Sequence, residues 1–136
     1  MNVRRQFRLP SDDEAGLDRL GLRWEALVQA ARRWIVIYNF ILPEGFVQAT
    51  ADMSIEIVAG YPPGMLDMAY FSPALTMPSG RAILQTNAVE QIDEKPWQRW
   101  SRHRTPDNPW RLGEDCLETH IDYVVAFLTA EVGRGR

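Results

Sequence analysis

Cysteine is almost missing from this chain: of 136 residues only Cys116 carries a thiol. An intrachain disulfide and a thiolate metal cluster are both excluded. A lone thiol suits a reducing compartment, so the cytoplasm is the expected location. Histidine is scarce too, with His103 and His120 alone. Asp52, Asp67 and Asp93 are scattered without ligand spacing, so no zinc site is expected. No stretch approaches the ~20 apolar residues of a membrane span. The basic start, Met1 to Arg8, runs into no long apolar segment, so a secretory leader is not expected. There is no phosphate-cradling glycine loop and no dinucleotide fingerprint, and no cofactor is expected. A net charge of -3 lacks the basic excess on which general nucleic-acid binding depends.

What is present reads as one folded domain. A composition 46% hydrophobic and 24% charged argues against a disordered chain. The length fits a single domain that needs no covalent staple. The domain is expected over residues 11–132, between an N-terminal tail at 1–10 and a C-terminal tail at 133–136.

Ser11 followed by Asp12, Asp13 and Glu14 forms a capping box, which predicts a short helix from about Asp12 to Leu20, closed by Gly21. Strands are expected at 22–28, 34–42, 53–58 and 66–71. The second is dense in β-branched and aromatic residues, and the third alternates apolar with polar. The turn Gly60-Tyr61-Pro62-Pro63-Gly64 separates the last two and reads as structural. Strands this close in sequence suit an antiparallel meander. Residues 72–113 show no long periodic segment, and prolines at 73, 78, 96, 106 and 109 interrupt them. A helix from about Glu114 to Val132 follows, with Leu117, Ile121, Val124, Val125, Leu128 and Val132 on one stripe.

Three stretches carry a family likeness. Ile55 to Pro63 resembles the third strand and Tyr-Pro turn of ubiquitin-conjugating enzymes. Leu66 to Pro73 is similar to their fourth strand. Asn108-Pro109-Trp110 before a helix is similar to their tryptophan and the helix that follows. Trp97-Gln98-Arg99-Trp100-Ser101-Arg102-His103 resembles a signature of the prokaryotic ubiquitin-conjugating-like group called family E. The likeness covers roughly residues 17–132. It implies an α+β ubiquitin-conjugating (UBC) fold, with a four-stranded antiparallel meander flanked by helices. It also implies a bacterial ubiquitin-like pathway whose partners are a ubiquitin-like modifier, an activating enzyme and a JAB-type peptidase. Some such pathways serve in antiphage defence. The departures are as informative. Conventional relatives hold a catalytic cysteine about eight residues before the tryptophan; here that position is Arg102, between Ser101 and His103. The His-Pro-Asn motif is replaced by Met77-Pro78-Ser79. The resemblance therefore implies transfer of the modifier by non-cysteine chemistry, or binding of it without transfer.

Two groups of residues could carry that chemistry. Ser101 and His103 supply a hydroxyl and an imidazole: the histidine could serve as base, or either could take the acyl group, with Arg99, Arg102 or Arg104 facing the oxyanion. The bland alternative is a structural or recognition loop. Cys116 and His120 are four apart at a helix start, where a thiol is activated, but the acids around them oppose a thiolate; packing is the alternative. Trp97, Arg99, Trp100, Arg102, Arg104 and Trp110 form a basic, aromatic segment whose residue types favour binding surfaces. It is expected to meet the modifier, an acidic protein or single-stranded nucleic acid. The alternative is that its indoles wedge the segment onto the core, with arginines stacked on them.

Overall fold

A computed structural model of the chain describes residues 2–134. Met1 at the start of the N-terminal tail, and Gly135 and Arg136 at the end of the C-terminal one, lie outside the described residues. The elements run α1 (Ser11–Arg19), β1 (Trp24–Gln29), β2 (Arg32–Ile41), β3 (Thr50–Ile57), β4 (Ala69–Ser72), β5 (Val89–Ile92), β6 (Lys95–Trp100) and α2 (Leu117–Arg134). The six strands pair antiparallel, in the order β1-β2-β3-β4-β6-β5. The expected α+β meander is therefore present as β1 to β4, and two further strands extend it.

Those two strands lie in the segment expected to be irregular. Pro96 and a glycine-free turn hid them. Asp93 and Glu94 close the β5–β6 hairpin with φ of 52° and 65°, a two-residue turn that normally advertises itself with Asn-Gly. Ile92 pairs with Lys95 beside that turn and Gln91 with Pro96. In such a ladder the nitrogen of the second pair points away from its partner. β4 reaches only Gln98 to Trp100, so Pro96 removes no ladder bond.

The other boundaries shift for local reasons. Ser11 is the first residue of α1 and makes no cap bond with its side chain. Instead Glu14 reaches further upstream, accepting from the Leu9 amide at 3.0 Å and the Arg8 guanidinium at 2.7 Å. The expected tail is partly sheet: Gln6 donates to the Ala26 carbonyl at 2.8 Å and Ala26 to that of Arg4 at 2.9 Å, covering the free edge of β1. α2 starts later than its acidic run suggests, because the Asp115 carboxylate accepts from the Arg111 amide and the Thr119 hydroxyl from the Cys116 amide.

Both faces of the sheet are buried. Trp24, Ile35, Ile37, Met53, Ile55, Phe71 and Trp100 face the helices, where Leu117, Ile121, Val124, Leu128 and Val132 of α2 close the main core. On the opposite face Leu27, Trp34, Val36, Tyr70, Ile92 and Trp97 form a second cluster, to which no helix contributes among the described residues. The sheet encloses that cluster by curling. Gln29 of β1 donates to the Gln91 carbonyl and accepts from the Asp93 amide, at 2.8 and 2.9 Å, tying the two edge strands together.

The β1–β2 turn holds Ala30 and Ala31 at φ of 49° and 67°, where a Cβ is unfavourable. Replacing them with Asn-Gly is expected to raise stability by about 1 kcal/mol, read as a higher urea midpoint at unchanged slope.

Candidate functional site

The site begins where β6 ends. After Trp100 the backbone turns tightly, with the Arg102 amide donating to the Trp100 carbonyl at 3.0 Å and the Ser101 amide to that of Gln85 at 3.0 Å. Residues 102–104 then lie against α2. Asp67 arrives from the segment leading into β4. Its Oδ2 stands 2.7 Å from His103 Nδ1. The imidazole is 63% exposed while the carboxylate is 24% exposed, and Asp67 Oδ1 is buried without a partner. A carboxylate at Nδ1 favours the proton there, so in the neutral ring Nε2 is the nitrogen that carries the lone pair.

Neighbouring groups hold this pair in place. The Tyr123 hydroxyl donates to the His103 carbonyl at 2.9 Å. The Arg104 guanidinium lies between the rings of Trp110 and Tyr123, 5.1 and 4.2 Å from their centroids. Its Nη2 donates to Nδ1 of His120 at 3.0 Å, and His120 Nε2 donates to the Met68 carbonyl at 2.8 Å. That bond pattern requires a neutral imidazole. Burial, with the Arg104 charge adding to it, pushes the His120 pKa down to about 4, against the opposing bond to Met68. Arg102 stacks over Trp100 at 4.8 Å and reaches Glu131 at 3.4 Å. Glu131 is buried, and burial alone would raise its pKa; Arg134 and Arg81 outweigh that and hold it below the ordinary carboxylate value.

The structure sorts the residues singled out in the sequence. Ser101 is half-buried beside His103, but no hydrogen bond joins the two among the described residues. Trp97 and Trp100 are 1% and 0% exposed and sit on opposite faces of β6. They are core residues, a correction to their expected place on a modifier-binding surface. Arg99 belongs to the curled inner face, opposite Tyr70 on β4. Arg102 and Arg104, two of the three arginines expected to face an oxyanion, are engaged by Glu131 and His120. Trp110 is half-buried, edge-on to Tyr61 at 6.3 Å. Cys116 caps α2 within a groove of ≈ 720 Å³ lined also by Asp12, Asp13, Pro62, Asp115 and Glu118. Its expected partner His120 has both ring nitrogens committed elsewhere, so the two do not form a nucleophile–base pair.

Asp67, a scattered acid by its sequence spacing, is the partner of His103. The register pairs Ala69 with Trp100, and continuing that ladder by a few residues brings Asp67 beside His103. Reading Lys95 to Trp100 as the strand next to β4 would have revealed it.

The model of prokaryotic E2 family E matches residues 9–131, which span the sheet and nearly all of α2. The chain belongs to prokaryotic E2 family E. As an E2-like protein it is a component of a bacterial ubiquitin-like pathway, whose general partners are a ubiquitin-like modifier and an activating enzyme. No curated protein and no solved structure matches the family E chain. Among its described residues no helix is long and apolar enough to cross a membrane.

Proposed function

We propose that this family E chain transfers the ubiquitin-like modifier by non-cysteine chemistry, centred on His103. The observation that supports the reading is the 2.7 Å contact between Asp67 Oδ2 and His103 Nδ1, next to the position where the resemblance expects a cysteine. The activating enzyme delivers the modifier's C-terminal carbonyl as an adenylate or thioester. His103 Nε2 takes the proton of the Ser101 hydroxyl while the oxygen attacks that carbonyl carbon. An oxyester forms, AMP or the thiol leaves, and a substrate amine later displaces Ser101. In the shorter route Nε2 itself attacks and carries the acyl group; its 63% exposed ring favours this variant. A JAB-type peptidase would reverse the modification, and defence against phage is the proposed setting.

The test is incubation with the cognate activating enzyme and modifier, plus ATP, followed by mass spectrometry. A covalent adduct on Ser101 or His103 is expected, labile to hydroxylamine and lost in His103→Ala. Asp67→Asn should slow its formation about 100-fold or more, in the range of a general base or of its orienting carboxylate. Modifier binding without any adduct would make the chain a carrier that does not transfer. An adduct that persists in His103→Ala would place the chemistry elsewhere.

A further inference from the structure

Residues 102, 103 and 104 run along α2 in the direction opposite to the helix. Arg102 meets Phe127 and Glu131, His103 meets Tyr123, and Arg104 meets Tyr123 and His120. The helix positions used, 120, 123, 127 and 131, are three, four and four apart, which places them on one face. The face is continuous. His120 and Tyr123 ring centroids are 5.7 Å apart, those of Tyr123 and Phe127 5.4 Å, and Phe127 stacks on Trp100 at 5.9 Å. It is distinct from the stripe of Leu117, Ile121, Val124, Leu128 and Val132 that buries α2 against the sheet.

The polar groups on this face serve the segment after β6. Tyr123 gives its hydroxyl proton to the His103 carbonyl. Glu131 gathers Arg102, Arg81 and Arg134, and Arg102 and Arg134 in turn donate to the carbonyls of Leu84 and Ala82 at 3.0 and 3.1 Å. One carboxylate therefore fastens both the residue before His103 and the loop whose Gln85 carbonyl holds Ser101.

We infer that this face of α2 is a positioning rail for the reacting segment, with Tyr123 and Glu131 as positioning residues, acting through the His103 carbonyl and through Arg102. Neither touches the imidazole ring. Asp67 sets the ring's tautomer, whereas the rail sets where the backbone carries it. The inference rests on the reading that His103 reacts. A reacting atom displaced by about 1 Å can cost 100-fold in rate, so one hydroxyl at the backbone has leverage.

The test uses Tyr123→Phe, which deletes one hydroxyl and keeps the ring, alongside Glu131→Gln. With the charged activating enzyme as substrate, Tyr123→Phe is expected to lower kcat for adduct formation about fivefold or more, the worth of one hydrogen bond, at unchanged KM. The ¹⁵N relaxation of residues 101–104 should show increased motion, while His103 keeps its Nδ1–H tautomer. Asp67→Asn should do the converse, changing the tautomer without loosening the backbone. Glu131→Gln should loosen Arg102 and Gln85 together; if that variant does not fold, Tyr123→Phe decides. A folded Tyr123→Phe with wild-type kcat and wild-type order at 101–104 overturns the rail. A wild-type chain that forms no adduct removes the transfer reading instead, and the rail is then judged on relaxation alone.

Discussion

Trp100→Ala is expected to destabilise the protein by about 3–5 kcal/mol, the usual range for emptying a buried indole site. The ring is 0% exposed. It lies between Phe46, Phe71 and Phe127, with centroids 5.9, 6.0 and 5.9 Å away, and its Nε1 donates to Gln98 Oε1 at 2.9 Å. Alanine would leave a cavity at the junction of β6, β4 and α2, beneath Arg102. A midpoint shift in guanidinium unfolding measures the loss. Trp100→Phe keeps most of the volume and should cost far less. In that folded variant, modifier affinity by calorimetry should match wild type. A selective loss of affinity there would return the indole to a contact surface and refute its assignment to the core.

Stability is also expected to fall by about 3 kcal/mol through His120 as the pH drops from 6.5 to 4. The folded chain holds this imidazole neutral, with its pKa pushed from 6.5 down to about 4. The unfolded chain takes up the proton near the ordinary value. Below pH 6.5 the unfolded state therefore binds more protons, so the contribution is complete above 6.5 and is lost as the pH falls through about 4. Glu25 and Asp13 enter only at the foot of this window or act against it. Glu25, held near 2 first by Arg4 against the opposing effect of burial, loses its contribution only below the ordinary carboxylate range. Asp13, raised by burial, acts in the opposite direction and favours the folded state as it protonates. Urea unfolding at pH 7, 5.5 and 4.5 should show the decline, and His120→Gln should flatten it, since an amide can accept from Arg104 and donate to Met68 without titrating. A profile equally steep in His120→Gln would show that another group carries the effect.

Some of this was legible without coordinates. The apolar stripe of α2, the alternation at 53–58 and the β-branched run at 34–42 are local patterns. Local patterns survive folding because the core they build is the one they advertise. The Tyr-Pro-Pro turn is legible as a turn from its prolines and glycines. Tyr61 donates to Asp13 and accepts from the Leu117 amide, at 2.6 and 2.7 Å, joining α1 to the start of α2. β5 and β6 were not legible, because their turn has no glycine and their proline sits where no ladder bond is lost. The inward turn of Trp97 and Trp100 was not legible for a related reason. Arginine and tryptophan look the same in sequence whether they face a partner or each other.

The sequence by itself determined the class of fold, the single thiol, and the hydroxyl and imidazole that flank Arg102, because these depend only on composition and neighbouring residues. The tertiary structure alone decided which charges are free. It set Asp67 against His103 across 36 residues of chain, bound Arg102 and Arg104 to α2, and turned two tryptophans inward. Those outcomes follow from strand register and from the burial of charged groups. Burial makes an unpaired ion costly, so Arg102 is drawn to Glu131 and Arg104 to His120.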